Sequence, residues 1–257
     1  MRAVTALTLL LSASHAHADA TDLVSRSFVL PRGGFEARLT LEYSLFERMV
    51  GEPIALAPDV WVGVTEQLTI GIIHSSQSVD RIATRSSFCL VKSDLLCDAT
   101  YQGSGIDVRY QLRDAPISVA PRTRVLLRDV DPWKPAVTLG ALVRWTHGRF
   151  SITTDPFLRL GLANRDKGNR AAFTLPLWFG VQPGRGWLVE IHTGAEGDLA
   201  VLRDGWHMPF GIVFTARATR CLDAFLEVGM NQVYGPQTDT KHRAALLGVA
   251  WRGSLLR

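Results

Sequence analysis

The sequence predicts an all-β fold, a transmembrane antiparallel up-and-down β-barrel of about twelve strands, and three observations carry that prediction. The first is alternation. In VTEQLTIGIIH, residues 64–74, Leu68, Ile70 and Ile72 fall on one parity while Gln67, Thr69 and Gly71 fall on the other. The second is strand length, because many alternating runs exceed the five or six residues usual in soluble sheets and match the ~9–11 that a tilted strand needs to cross a bilayer. The third is a regular exchange of short and long links between the runs.

Taken in chain order, the runs lie near 33–43, 54–65, 67–75, 103–113, 117–129, 136–147, 149–162, 171–182, 187–196, 207–218, 221–231 and 243–253. The first sets Phe35, Ala37, Leu39, Leu41 and Tyr43 against Glu36, Arg38, Thr40 and Glu42. The fourth sets Ile106, Val108, Tyr110 and Leu112 against Asp107, Arg109, Gln111 and Arg113. The seventh opposes Phe150, Ile152, Thr154, Leu158, Leu160 and Leu162 to Ser151, Thr153, Asp155, Phe157, Arg159 and Gly161. In the eleventh, Leu222, Ala224, Leu226, Val228 and Met230 oppose Asp223, Phe225, Glu227, Gly229 and Asn231. A period of two places such sets on opposite faces of a pleated strand.

Strands two and three join across TEQ, four and five across RDAP, six and seven across HG, eight and nine across PGRG, ten and eleven across TR. The other links are longer: LFERMVGEP, residues 76–102, DVDPWKP, NRDKGN, EGDLAVLRDGWH and VYGPQTDTKH. In outer-membrane barrels the short turns are periplasmic and the long loops extracellular. On the outward parity Phe35, Tyr110, Trp145, Phe150, Trp187 and Trp251 fall near the short-turn ends, the pattern of an aromatic girdle at one bilayer interface.

Residues 1–20 read as a secretory signal peptide, with Arg2, a short apolar run, and small residues at Ala16, Ala18 and Ala20. The rest, 21–257, is predicted as one barrel domain, since no Pro/Ser-rich linker or charge block divides it. The chain has 257 residues and a formal net charge of +4. With no Lys/Arg run, nucleic acid is not a predicted partner. Cys89 and Cys97 bracket a short polar segment and could close a disulfide in an oxidising compartment; Cys221 is then left over as a structural residue.

Signal peptide, two-residue rhythm, the turn-and-strand pattern VTEQLTIGIIH and the final strand KHRAALLGVAWR resemble small-to-medium outer-membrane β-barrel proteins of Gram-negative bacteria, of the porin-like kind. The resemblance covers essentially the whole chain after the leader. It implies the cell outer membrane as location, lipids around the wall, small polar solutes in the lumen, and delivery by barrel-insertion machinery. Such barrels usually end on an aromatic residue that the machinery reads. Here the chain runs past Trp251 to Arg257, so either Trp251 serves that role or the signal is atypical.

Hydrocarbon offers no partner for backbone N–H and C=O, so a membrane sheet must close. An Arg facing lipid at the midplane costs about 2–4 kcal/mol, which leaves the polar parity for the interior. A basic wall of Arg109, Arg113, Arg122, Arg124, Arg128, Arg144 and Arg159 is predicted opposite an acidic wall of Glu36, Glu42, Asp59, Glu190, Glu196, Asp223 and Glu227. Held apart across water, the walls would filter small polar or anionic solutes. Meeting mid-lumen, they would plug a scaffold that acts through its loops.

No cofactor or metal is predicted, since no Cys/His spacing suits zinc and Gly33-Gly34 and Gly184-x-Gly186 precede strands rather than helices. A Glu190-x-His192 pair on one strand face could bind a cation, but a pore-lining imidazole is the simpler expectation. His74 and Ser76 stand as H-x-S at a strand end, which looks like outer-membrane phospholipase A. The family's following Asn-Gly is replaced here by Gln77 and Ser78, and no orienting third residue is identifiable. Inward glycines such as Gly63, Gly71, Gly161 and Gly211 are expected to make room for bulky inward groups such as Trp61, Phe157 and Trp178.

Overall fold

The structure, a computed structural model, describes residues 23–46, 50–75, 86–92, 97, 99–114, 116–236 and 238–256, apart from the side chains of Asp239, Lys241 and His242. The segment read as a signal peptide lies outside the described residues.

Alternation of the kind seen in the sequence produces β1 (Gly34–Ser44), β2 (Ile54–Gly63), β3 (Leu68–Ile73), β4 (Phe88–Val91), β5 (Ser104–Tyr110), β6 (Ile117–Val130) and β7 (Trp133–His147). It continues through β8 (Phe150–Thr154), β9 (Phe157–Gly161), β10 (Ala172–Gly184), β11 (Trp187–Asp198), β12 (Trp206–Arg217), β13 (Leu222–Tyr234) and β14 (Asp239–Ser254). Each strand pairs antiparallel with its neighbours, and β1 pairs with both β2 and β14, so the sheet closes on itself. Closure removes the edges that hydrocarbon would leave unsatisfied.

Among the described residues fourteen strands make twelve staves. The seventh stave is β8 and β9, interrupted at Asp155-Pro156, both halves lying between β7 and β10. The third is β3 extended by β4: β3 pairs with the short-turn half of β2, and β4 pairs with Ile54, Ala55 and Leu56 above it. Ser87 N–H donates to the His74 carbonyl at 3.1 Å, so the chain rejoins its own stave there. The segment 76–102, expected as a loop throughout, therefore supplies wall. Cys89 and Cys97 are joined with their Cα atoms 5.9 Å apart, tying β4 to the segment that leads into β5.

Links at one rim are short, with β7 to β8 and β10 to β11 turning in two residues each. At the other rim the strands run further than the alternation indicates, and DVDPWKP is corrected from a long loop to a turn at Asp131-Pro132, with Val130 paired to Trp133. The strands project past the apolar band, where polar residues are solvated and parity no longer marks them.

The burial pattern is inverted relative to a soluble protein. Leu139 is 53% exposed, Ile72 59% and Leu158 51%, while Asp107 and His192 are wholly buried. Every stave turns its aliphatic parity outward, a surface that only an apolar solvent accommodates.

Candidate functional site: the charged lumen and the segment that crosses it

The inward parity of β5 to β9 carries Arg109, Arg122, Arg124, Arg128, Arg144 and Arg159, with Asp107 and Asp155 among them. Asp107, on β5, accepts from Arg109 Nε at 2.7 Å, Arg122 Nε at 2.6 Å and Trp61 Nε1 at 2.9 Å. Asp155 sits in the break between β8 and β9, where Arg122 Nη1 and Arg124 Nη2 donate to it at 2.6 and 2.5 Å. Gly140, between them on β7, admits this kink, since a Cβ there would lie 2.3 Å from the Pro156 carbonyl. Charge-assisted bonds of this kind offset the desolvation of buried ions only when each charge is well paired. Arg128 Nη1 donates to Asn169 Oδ1 at 3.2 Å, and Arg159 is buried nearby on the same side. Arg113 is corrected: it lies exposed at the short turn after β5, because the strand ends at Tyr110 and Gln111 is the last buried residue of the inward parity.

The acidic residues divide by height. Toward the long-loop rim Asp59 accepts from the backbone N–H of His74 and Ser75, at 2.6 and 3.1 Å, and from the Ser75 hydroxyl. Glu42 accepts from Ser86 N–H and Oγ at 3.3 and 3.0 Å. These two carboxylates hold the interrupted stave. Glu227 is buried with Oε1 3.5 Å from His192 Nδ1, and the His192 ring stacks on Trp178 at 4.8 Å. Glu190 is half-buried on β11, and Glu196 stands opposite His207 of β12. Near the short-turn rim Glu36 pairs with Arg38 at 2.9 Å and Arg252 at 2.6 Å. Asp223 takes Arg26 at 2.6 Å, Arg217 at 3.3 Å and Arg252. Arg38, Arg217 and Arg252 were legible as inward by parity, yet the two-wall picture omits them. Apart from Arg26–Asp223, the ion pairs named here join positions on one stave, neighbouring staves, or staves once removed, so they lie along the wall.

What does cross the barrel is the segment 23–31, which sequence reading missed because its Leu23, Val24, Phe28, Val29 and Leu30 show no strand period. Leu23 and Val24 N–H groups donate to Gln182 Oε1 of β10, at 2.8 and 3.2 Å, and both residues pack with Leu188 of β11. Arg26 reaches Asp223 of β13, and its carbonyl accepts from Arg144 Nη1 of β7 at 2.5 Å. Phe28 packs with Ala120 and Leu142 under the Arg144 guanidinium, 4.5 Å from the ring centre. Leu30 N–H donates to Thr69 Oγ1 of β3 at 2.8 Å, and the Leu30 and Pro31 carbonyls occupy the space a Cβ at Gly63 would need. The segment thus runs from staves eight and nine to staves two and three, across the short-turn mouth.

Of the six outward aromatics, Tyr110, Trp145, Phe150 and Trp187 are exposed near short-turn ends and Trp251 is half-exposed. Phe35 is corrected: only 8% exposed, its ring lies against Gly253 and edge-on to Trp251 at 4.9 Å. Trp133, Trp206 and Tyr234 stand at the long-loop ends of their strands, a second aromatic level that could have been read from their places beside the long links. The His74 ring faces the Pro58 carbonyl at 2.5 Å and packs near Phe88 and Tyr101; Ser76 lies outside the described residues. Among the described residues no group of three or more His, Cys, Asp or Glu could hold a metal ion.

A closed antiparallel sheet, apolar without and ionised within, defines a transmembrane β-barrel. No family model matches the chain, and no curated protein matches it. Solved structures do. The NanC porin is similar over 84% of this chain and 98% of its own, with TM-score 0.59 at 9% identity. The KdgM porin is similar over the same shares with TM-score 0.52 at 8% identity, and it has also been solved in complex with disordered oligogalacturonate. The COG4313 outer membrane channel from Pseudomonas putida F1 is similar over 92% of this chain and 99% of its own, with TM-score 0.50 at 12% identity. The fold is that of outer-membrane porin-like β-barrels.

Proposed function

We propose that the chain is a passive channel in the cell outer membrane for small polar or anionic solutes, with its short turns in the periplasm and residues 1–20 removed as a leader. The observation that carries this reading is the arginine-rich sector of β5 to β9, where six arginines lie along the wall and only two aspartates, paired with Arg109, Arg122 and Arg124, stand among them. Such a sector holds positive potential toward the axis and favours anions over cations. The acidic groups of β1, β2, β11 and β13 give the lumen its opposite polarity. Similarity to porins and to an outer-membrane channel supports the same reading, as does the oligogalacturonate, an acidic saccharide, in one KdgM porin structure.

Purified full-length protein reconstituted in planar bilayers tests it. Discrete conductance steps, with a reversal potential in a salt gradient displaced toward the anion side, are the expected result; current no greater than bilayer leak, both from this protein and from a folded form freed of residues 23–31, would refute it. The segment across the short-turn mouth favours a second reading, a plugged scaffold that acts through its long loops. In that case trimming residues 76–85 abolishes binding of an extracellular partner while no conductance is seen.

A further inference from the structure

We infer that residues 23–31 are a displaceable gate over the short-turn mouth, so that the same barrel exists closed, as seen here, and open. The inference rests on the channel reading above.

The segment is attached in a way that allows release. Leu23, Val24 and Leu30 donate to side-chain oxygens of Gln182 and Thr69, and none of the three belongs to a strand. Its removal therefore leaves the closed hydrogen-bonded sheet intact. The charge pairing is equally permissive. Asp223 accepts Arg26, Arg217 and Arg252 together, so after Arg26 departs the carboxylate keeps two guanidinium partners on the wall. A buried charge left without a partner is the usual obstacle to breaking a buried ion pair, and here none is created. Arg144, which caps the Arg26 carbonyl and lies over Phe28, keeps Thr153 Oγ1 at 3.1 Å. What holds the gate shut is thus the packing of Phe28 between Ala120 and Leu142 and of Leu23 and Val24 on Leu188, with Arg26 as a latch.

The position is that of an obstruction. The segment touches staves eight and nine, eleven, five and six, and two and three in turn, and so spans a diameter. The backbone carbonyls of Leu30 and Pro31 fill the space over Gly63, so the segment is fitted to the wall there rather than lying loosely beside it.

The test compares full-length protein with a form lacking residues 23–31, both in planar bilayers, after each is shown to be a folded barrel by its altered gel mobility before and after boiling. Deletion is expected to raise mean conductance several-fold, and Arg26→Ala to raise the open fraction. A second variant works without deletion: Phe28→Cys with Leu142→Cys, in a Cys221→Ser background, should be locked closed on oxidation and recover on reduction, while Phe28→Cys alone responds to neither. Equal conductance in full-length, deleted and oxidised forms would overturn the gate and leave the channel standing. No conductance from the folded deleted form would overturn both.

Discussion

Trp61 Nε1 donates to Asp107 Oδ2 at 2.9 Å across the strand that separates them, and it does so over Gly71, where a Cβ would lie 2.2 Å from the Trp61 ring. Arg109 and Arg38 flank that ring at 4.9 and 5.5 Å from its centre. One indole thus joins the basic sector of β5 to the first two staves, and it depends on a neighbour without a side chain.

Trp61→Phe keeps the packing and removes the donor. Since a bond to a charged acceptor is worth about 1.5–3 kcal/mol, the folded barrel should lose stability by that order, read from urea refolding midpoints in lipid vesicles. Gly71→Ala should also destabilise. In a Trp61→Ala background, Gly71→Ala should add little further loss, because the ring it would strike is gone.

Asp107→Asn leaves Arg109 and Arg122 short of their carboxylate. Breaking a buried pair in this way costs about 3–5 kcal/mol. Asp107→Asn combined with Arg122→Gln should recover part of it, and a double-mutant cycle that found the two losses simply additive would contradict the pairing.

Selectivity is best probed at Arg128 and Arg159. Arg122 and Arg124 both clasp Asp155, so reversing them would gather four carboxylates in one buried place. Arg128→Glu with Arg159→Glu should shift the reversal potential in a salt gradient toward cations, and an unchanged potential would count against an anion-favouring lumen.

Leu139 lies mid-strand on the outer face of β7, 53% exposed. Leu139→Arg should cost about 2–4 kcal/mol of folding free energy in vesicles. Leu255→Arg, beyond the end of β14, should cost far less. Similar losses at both positions would mean that the outer surface does not meet hydrocarbon.

Cys89 and Cys97 are separated by eight residues. Opening so short a loop forfeits about 2–3 kcal/mol of chain ordering. The effect should be local: on reduction, amide exchange should quicken around β4 and the approach to β5, while β6 and β7 exchange as before.

The alternation of Phe35 to Tyr43, of Ile106 to Leu112 and of the other runs sufficed for the sheet, its closure and the side that most strand residues face, Phe35 and Arg113 being the exceptions. Those properties follow from a period of two and from the cost of open backbone in hydrocarbon, both of which are local or pairwise constraints. Even the pairing of Gly71 with a bulky inward ring was readable, because a missing side chain has meaning only beside a large one. Tertiary structure alone decided three things. It placed Asp107 and Asp155 as the shared partners of Arg109, Arg122 and Arg124, since the stagger between staves sets which inward groups meet. It built the third stave from β3 and β4, because residues far apart along the chain both find β2 as their partner. It laid residues 23–31 across the mouth, where partners come from seven strands around the ring and the segment's own residues carry no period from which such a path could be read.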